Sequence, residues 1–366
     1  MPKKRTIINR FLALEFLKAF ALVFFAVAGI MALFTIMQYM KLAGSREASP
    51  PLSAVAFFSL ADIFKALPTI IPLSVLLAGS LTFWRLARSS ELVVVRSIGL
   101  SVWKFLSPIM AACVAIGLLN MAVLSPIGAA VQARKEVLLY RHGMSHANPM
   151  VFSEQGLWLK EKGGAFTYIE QVRKEGGTLR ATGITIFEVD GESGFGNRIE
   201  ARSGTLTPDA FTLKGVKIID PQLVETSAIT LDYPTSLSID RIEEKSSEPE
   251  SVSFWDLPGY IKFFEEAGFS ARGHRAYFYS LLLLPLSMVA MLFISAIFSI
   301  SPKRNRVRLA LKLTGGVLIG FAAFFLDQVV RALGTSGRLP LLAAMLFVPI
   351  TAILISSLVL LYKEDG

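Results

Sequence analysis

An interruption constrains this chain more than any other feature. Three long apolar stretches, about residues 11–40, 54–83 and 103–130, precede about 145 residues that are polar, turn-rich and strand-like. Three more apolar stretches follow, about 276–300, 309–332 and 339–362. About 20 helical residues cross the hydrocarbon core of a bilayer, and each stretch is long enough to do so. The segment 276–300 contains no charged residue. A large soluble all-helical protein is the alternative, but most of these segments offer no polar face, and the chain is 53% hydrophobic and only 18% charged. The expected fold class is therefore a polytopic α-helical membrane protein with six transmembrane helices and an inserted β-jelly-roll-like domain.

The first span reads as retained. Its apolar run exceeds the usual length of a cleaved signal, and no small-residue site closes it. The single cysteine, Cys113, falls in the third span. It cannot form an intrachain disulfide and reads as a small apolar filler.

The charges set an orientation. Lys3, Lys4, Arg5 and Arg10 precede span one; Arg85, Arg88, Arg96 and Lys104 lie between spans two and three. Lys303, Arg304, Arg306, Arg308 and Lys312 follow span four, and Lys363 follows span six. All fall on one side of a six-span arrangement, against Lys41, Arg46 and Arg338 on the other. Positively charged loops stay in the cytoplasm. Both termini are thus expected there, with the β domain outside the inner membrane. The net charge of +9 reads as membrane anchoring. It does not imply nucleic acid, because the cations are divided among loops without a recognition fold.

Within the insertion, Gly156-Leu157-Trp158-Leu159 and residues 165–169 read as strands. So does 184–189, which ends at the turn signal Asp190-Gly191. Residues 210–219 and 227–231 continue the pattern. Several short strands at this spacing predict a sandwich or jelly roll. The expected divisions are 1–140 for the first membrane half, 141–253 for the β domain and its linker, 254–275 for an interfacial helix, and 276–366 for the second membrane half.

The residues of a soluble enzyme are not assembled in this sequence. His142 and His146 are four apart, but Gly143 and Asn148-Pro149 weaken helical continuity and no third ligand stands near. There is no GxxxxGK[ST] phosphate loop, serine elbow or spaced carboxylate pair. No catalytic residue, metal or cofactor is assigned to the chain. An energy source has to come from a partner or an ion gradient.

The segment between spans two and three is more specific. Ser89 or Ser90 can cap a short helix at Glu91, whose charge suits a helix N-terminus. Leu92, Val93, Val95 and Ile98 supply apolar contacts, and Gly99 can end the helix in a left-handed conformation. Such a helix, near 89–99, is either a connector lying on lipid or a coupling helix seated in a cytoplasmic ATPase.

The run Arg-Ser-Ser-Glu-Leu-Val-Val-Val-Arg-Ser-Ile-Gly at 88–99 resembles the coupling segment of the lipopolysaccharide export permeases, the LptF and LptG family, and is most similar to the G-type subunit. Gly156-Leu157-Trp158-Leu159-Lys160, followed by Phe166-Thr167-Tyr168-Ile169-Glu170-Gln171-Val172, is similar to the G-type opening of the periplasmic domain. Phe324-Phe325-Leu326-Asp327-Gln328 resembles another run of the family, and the likeness covers essentially the whole chain.

This resemblance implies one permease subunit of an ABC transporter. Its expected partners are an F-type permease, two copies of a cytoplasmic ATPase that binds ATP and Mg, and a single-transmembrane bridge subunit. Lipopolysaccharide would be taken from the outer leaflet of the inner membrane and passed to a periplasmic bridge. The resemblance assigns Glu91, Leu92, Val95, Arg96 and Gly99 to ATPase coupling. It assigns Lys41, Arg134, Lys135 and Arg46 to the substrate, whose anionic phosphates call for basic residues at headgroup level. Where relatives show a second adjacent lysine, this chain has Leu42, and Val137 stands where a further basic residue is expected. Each cation has a plainer reading, snorkelling to lipid phosphates.

Two ion pairs are expected from helical spacing. Asp327 and Arg331 are four apart near the end of span five, and Asp62 and Lys65 are three apart at the start of span two. The readings weighed against the G-type permease are the paired F-type subunit, a scaffold that moves no lipid, and an enzyme acting on lipid headgroups.

Overall fold

The computed structural model describes residues 2–44, 50–89, 101–142, 150–153, 156–160, 165–175, 178–188, 196–207, 210–222, 224–235, 248–266, 270–299 and 306–365. The first membrane half holds α1 (Pro2–Gly44), α2 (Leu52–Arg88) and a third span. That span is α3 (Val102–Leu119), a π-helical turn (Asn120–Leu124) and α4 (Ser125–Arg141). Strands β1 (Met150–Ser153), β2 (Gly156–Lys160), β3 (Phe166–Glu175), β4 (Thr178–Phe187), β5 (Arg198–Leu206), β6 (Phe211–Ile219) and β7 (Glu225–Tyr233) follow. A short helix α5 (Leu257–Glu266) leads to α6 (Arg272–Leu282), α7 (Leu284–Ser299), α8 (Arg306–Thr335) and α9 (Leu341–Asp365).

Among the described residues, five helices are long and apolar enough to cross a membrane. Arg272–Leu282 and Leu284–Phe298, bent by 54° at their break, pass the same test together, which gives up to six spans. The bend has a local cause. Pro285 carries no N–H for the carbonyl of Leu281, so the helix is interrupted at Leu283. Gly117 of α3 faces Pro285, and a Cβ there would stand 2.7 Å from the proline ring. Only glycine lets that backbone approach.

The π turn is explained similarly. Pro126 cannot bond the carbonyl of Ala122, and the Trp255 indole N–H donates to that oxygen instead, at 3.4 Å. Ser125 Oγ accepts from the backbone N–H of Phe254 at 3.1 Å. The chain returning from the β domain thus fills the polar vacancies left where span three is widened.

α2 is the central helix and packs on α1, α4, α7 and α8. Its Val75, Leu76 and Phe83 are fully buried with Phe16 of α1, Leu106 of α3 and Met288 and Leu292 of α7. α1 is held on one side only. Phe25, Ile30 and Met37 are each about 70% exposed (71%, 69% and 70%), which suits lipid or a protein partner and not water.

The β domain is one seven-stranded antiparallel sheet in the order β1-β2-β3-β4-β5-β6-β7. The expected inserted β domain is present, but its strand order is that of a meander. The crossing connections of a jelly roll do not occur among the described strands, because each strand pairs with its neighbour in sequence. A fault line runs across it. Burial alternates as Leu179, Ala181, then Ile184, Ile186 in β4; as Ile199, Ala201, then Gly204, Leu206 in β5; and as Phe211, Leu213, then Val216 in β6. Each strand therefore changes the parity of its buried side chains at the same level, at Gly183, Arg202 and Gly215. Both glycines have positive φ, 65° and 67°, a conformation that costs other residues energy. The switch keeps apolar side chains on the buried face along strands that would otherwise turn them outward.

Residues 254–275, expected as one interfacial helix, do not form a single helix. α5 ends at Glu266, and α6 begins at Arg272 as the first half of the bent pair. α5 buries Phe264 in the sheet's core and Leu257 against Leu281 at the membrane half. Its apolar face is consumed by these two contacts, so it is a strut between layers.

Candidate functional site

The ends of α1 and α4 and the start of α2 meet beside the β domain. The common level is marked by Asp62, whose Oδ2 accepts from Tyr39 Oη of α1 at 2.8 Å and whose Oδ1 accepts from Lys135 Nζ of α4. The side chains of Lys135 and Asp62 are only 11% and 18% exposed. The Lys135 ammonium also stands 5.7 Å from the centre of the Tyr39 ring, within cation–π range. One turn earlier on α4, Gln132 Nε2 donates to the carbonyl of Ala61 at 2.7 Å. Deeper in the same seam, Thr35 Oγ1 donates to Ser59 Oγ at 2.8 Å.

Lys41 and Arg134 lie on this same end and are exposed. Lys41 follows Tyr39 by two residues on α1, and Arg134 precedes Lys135 on α4. Two cations thus reach outward around an internally paired third. Arg46 and the five coupling positions, Glu91, Leu92, Val95, Arg96 and Gly99, lie outside the described residues.

The expected pairing of Asp62 with Lys65 is replaced by two others. Asp62 joins Lys135, while Lys65 stands 3.8 Å from Glu248 and 3.8 Å from Glu250. Three-residue spacing aligned Asp62 and Lys65 on one helix, but each side chain found an opposite charge on a neighbouring element nearer its own end. Lys65 and its partners are solvent-accessible, so this contact contributes about 0–1 kcal/mol. It does link α2 to the short 3₁₀ turn Pro249–Ser251 below the sheet.

Asp327 and Arg331 are joined at 2.7 Å, in a site where their side chains are 7% and 15% exposed. Arg331 also reaches Ser287 Oγ of α7 at 3.1 Å and Met345 Sδ of α9 at 3.5 Å. This cluster ties the three last spans together.

Of the histidines, His274 is buried against the stacked rings of Tyr260 and Phe264, with centroids 4.9 and 5.2 Å away. His142 Nδ1 contacts the carbonyl of Leu138 at 2.8 Å, and His146 lies outside the described residues. Among the described residues no three His, Cys, Asp or Glu side chains gather as a metal site requires.

Tyr39, Gln132, Glu248 and Glu250 were not singled out from sequence. Tyr39 and Gln132 carry a usable signal, a polar group near the end of an apolar span. Glu248 and Glu250 sit in an acidic linker, where nothing local marks a partner.

The family model described as lipopolysaccharide export system permease LptF/LptG matches residues 10–363. The chain is 23% identical, over 98% of its length and 99% of the relative's, to the lipopolysaccharide export system permease protein LptG of Escherichia coli strain K12. It is also 23% identical to the protein of the same description from Haemophilus influenzae, over 75% of this chain and 76% of that one. The match runs through both membrane halves and the inserted sheet, and the chain belongs to the lipopolysaccharide export system permease LptF/LptG family.

Proposed function

We propose that this chain is the G-type permease subunit of an ABC transporter that draws lipopolysaccharide from the outer leaflet of a bacterial inner membrane and hands it to a periplasmic bridge. The observation that carries this reading is the pair of exposed cations, Lys41 and Arg134, at the β-domain end of two apolar spans. Anionic phosphates above acyl chains call for that combination of cations at headgroup depth and an apolar wall below them. The unburied apolar flank of α1 supports a wall completed by a second permease.

In this reading the sheet stands in the periplasm and both termini in the cytoplasm. β7 is a nine-residue edge strand, and its Ile229 is 89% exposed. Long exposed edges invite pairing with another chain, so β7 supports docking of the bridge subunit. Residues 89–99 dock the partner ATPase, which binds ATP and Mg. Asp327 and Arg331 serve as a structural lock between spans.

The assignment to G-type and not F-type rests on the coupling run at 88–99 and on relatives described as LptG. The test is purification of the chain from cells with its associated proteins. Recovery of a second permease and an ATPase whose rate responds to lipopolysaccharide is expected. Recovery of the chain with envelope proteins but without an ATPase would favour a scaffold.

A further inference from the structure

We propose that Asp62 is a positioning residue for span one, its carboxylate joining Tyr39 of α1 to Lys135 of α4 and so fixing where the Lys41 end of α1 stands. The inference rests on the proposed transport role only for the purpose that Lys41 serves. The joint itself rests on geometry.

The half of α1 nearer the β domain has little apolar packing, whereas the other half is held in the core by Leu12, Phe16 and Ala19. On the nearer half, the flank at Ile30, Leu33, Phe34 and Met37 is exposed. In lipid, rotating or shifting such a helix costs little, because the acyl chains are as apolar as the side chains they replace. Directional polar contacts must then set its place. At the β-domain end these include the Thr35–Ser59 bond and the Tyr39–Asp62 bond. The Tyr39 ring also packs on Phe58, with centroids 5.3 Å apart.

Asp62 is built as a two-sided connector. One oxygen accepts from α1 and the other from α4, so the two contacts do not compete. A carboxylate at a span end needs such partners, because leaving it unpaired is costly. The α2–α4 contact has a second, independent tie in Gln132 and Ala61. Loss of the Asp62 carboxylate should therefore free α1 selectively and leave α4 on α2. Pairing with Asp62 also takes Lys135 out of the set of exposed cations and leaves Lys41 and Arg134 facing outward.

The test uses the full chain in lipid nanodiscs, in a Cys113→Ala background, with spin labels on exposed positions. Gln38→Cys with Ala133→Cys reports α1 against α4, and Leu60→Cys with Ala133→Cys reports α2 against α4. Asp62→Ala, which removes both acceptor oxygens, should broaden the first distance distribution by about twofold or more and leave the second unchanged. The charge swap Asp62→Lys/Lys135→Asp should restore the narrow distribution, and should accumulate normally even if Asp62→Ala does not. An unchanged first distribution in Asp62→Ala overturns the proposal, as does equal broadening of both pairs. A charge swap no closer to the parent than the single substitution overturns it too. Lipid A crosslinking from position 134 is measured in the same samples. Its absence, with α1 still loosened by Asp62→Ala, would count against transport and leave the positioning role standing.

Discussion

Arg331 donates its Nε–H to Oδ2 of Asp327 at 2.7 Å, one turn away on α8, while its other nitrogens reach α7 and α9. The arginine is the bridge between spans, and the aspartate neutralises it. Asp327→Leu leaves a buried guanidinium without its counter-charge, at a cost of about 3–5 kcal/mol. Replacing both, as Asp327→Leu/Arg331→Met, should cost much less, because neither charge is then stranded. Thermal unfolding of the full chain in detergent checks this. Equal losses in the single and double variants would show that the two residues are not energetically coupled.

Gly183 carries the parity switch of β4. Gly183→Ala should destabilise the protein by about 1–2 kcal/mol from its positive φ alone. A further loss comes from Glu170, whose Cβ would lie 2.7 Å from the new methyl. Ala181→Gly, two residues away on the same strand, removes a methyl without that conflict and should cost roughly 0.5–1 kcal/mol more than a neutral surface change. Gly183→Ala should therefore lower the unfolding midpoint more than Ala181→Gly does. The reverse order would mean that the switch tolerates a side chain.

Lys41 and Arg134 are expected to touch the anionic part of the substrate. A cation near anionic headgroups contributes about 1 kcal/mol, so Lys41→Ala/Arg134→Ala should weaken lipopolysaccharide capture by roughly 30-fold without loss of assembly. Photocrosslinkers at positions 41 and 134 should trap lipopolysaccharide in the parent. No crosslinks, together with unchanged transport in the double variant, would reduce both residues to lipid anchors.

Glu91 and Gly99 belong to the proposed ATPase dock. In the proposed coupling segment the Glu91 charge contributes about 0.3–1 kcal/mol, so Glu91→Ala should weaken recovery of the ATPase by several-fold. Gly99→Val, which removes the freedom of glycine from the proposed turn, should be more severe. Co-purification of ATPase with each variant is the readout, and normal recovery in both would place the dock elsewhere.

For the sheet edge, a photocrosslinker at Ile229 should capture the bridge subunit, while one at Lys217, on β6 within the sheet, should capture it much less. Equal capture at both would argue for contact by the face and not the edge.

The membrane half of the fold was largely legible. An apolar run long enough to cross needs no partner to be recognised, since every backbone polar group is satisfied within its own helix. The strands were legible as well, from β-branched and aromatic runs punctuated by turn residues. Their stacking order was not, because alternation tells which face is buried and not which strand lies alongside.

Asp62 and Asp327 mark the boundary between the two kinds of knowledge. Helical spacing put Arg331 within reach of Asp327, and the structure pairs them; among the described residues no other ion pair forms with either. The same arithmetic offered Lys65 to Asp62, yet Lys135 came to it from α4, 73 residues away, and Lys65 met the returning linker. Sequence by itself determined the apolar spans, the inserted sheet and the cations at the span ends, because hydrophobic length and charge placement act locally. Only the tertiary structure decided which charges meet and where the sheet changes face, because those depend on elements far apart in the chain packing at one depth.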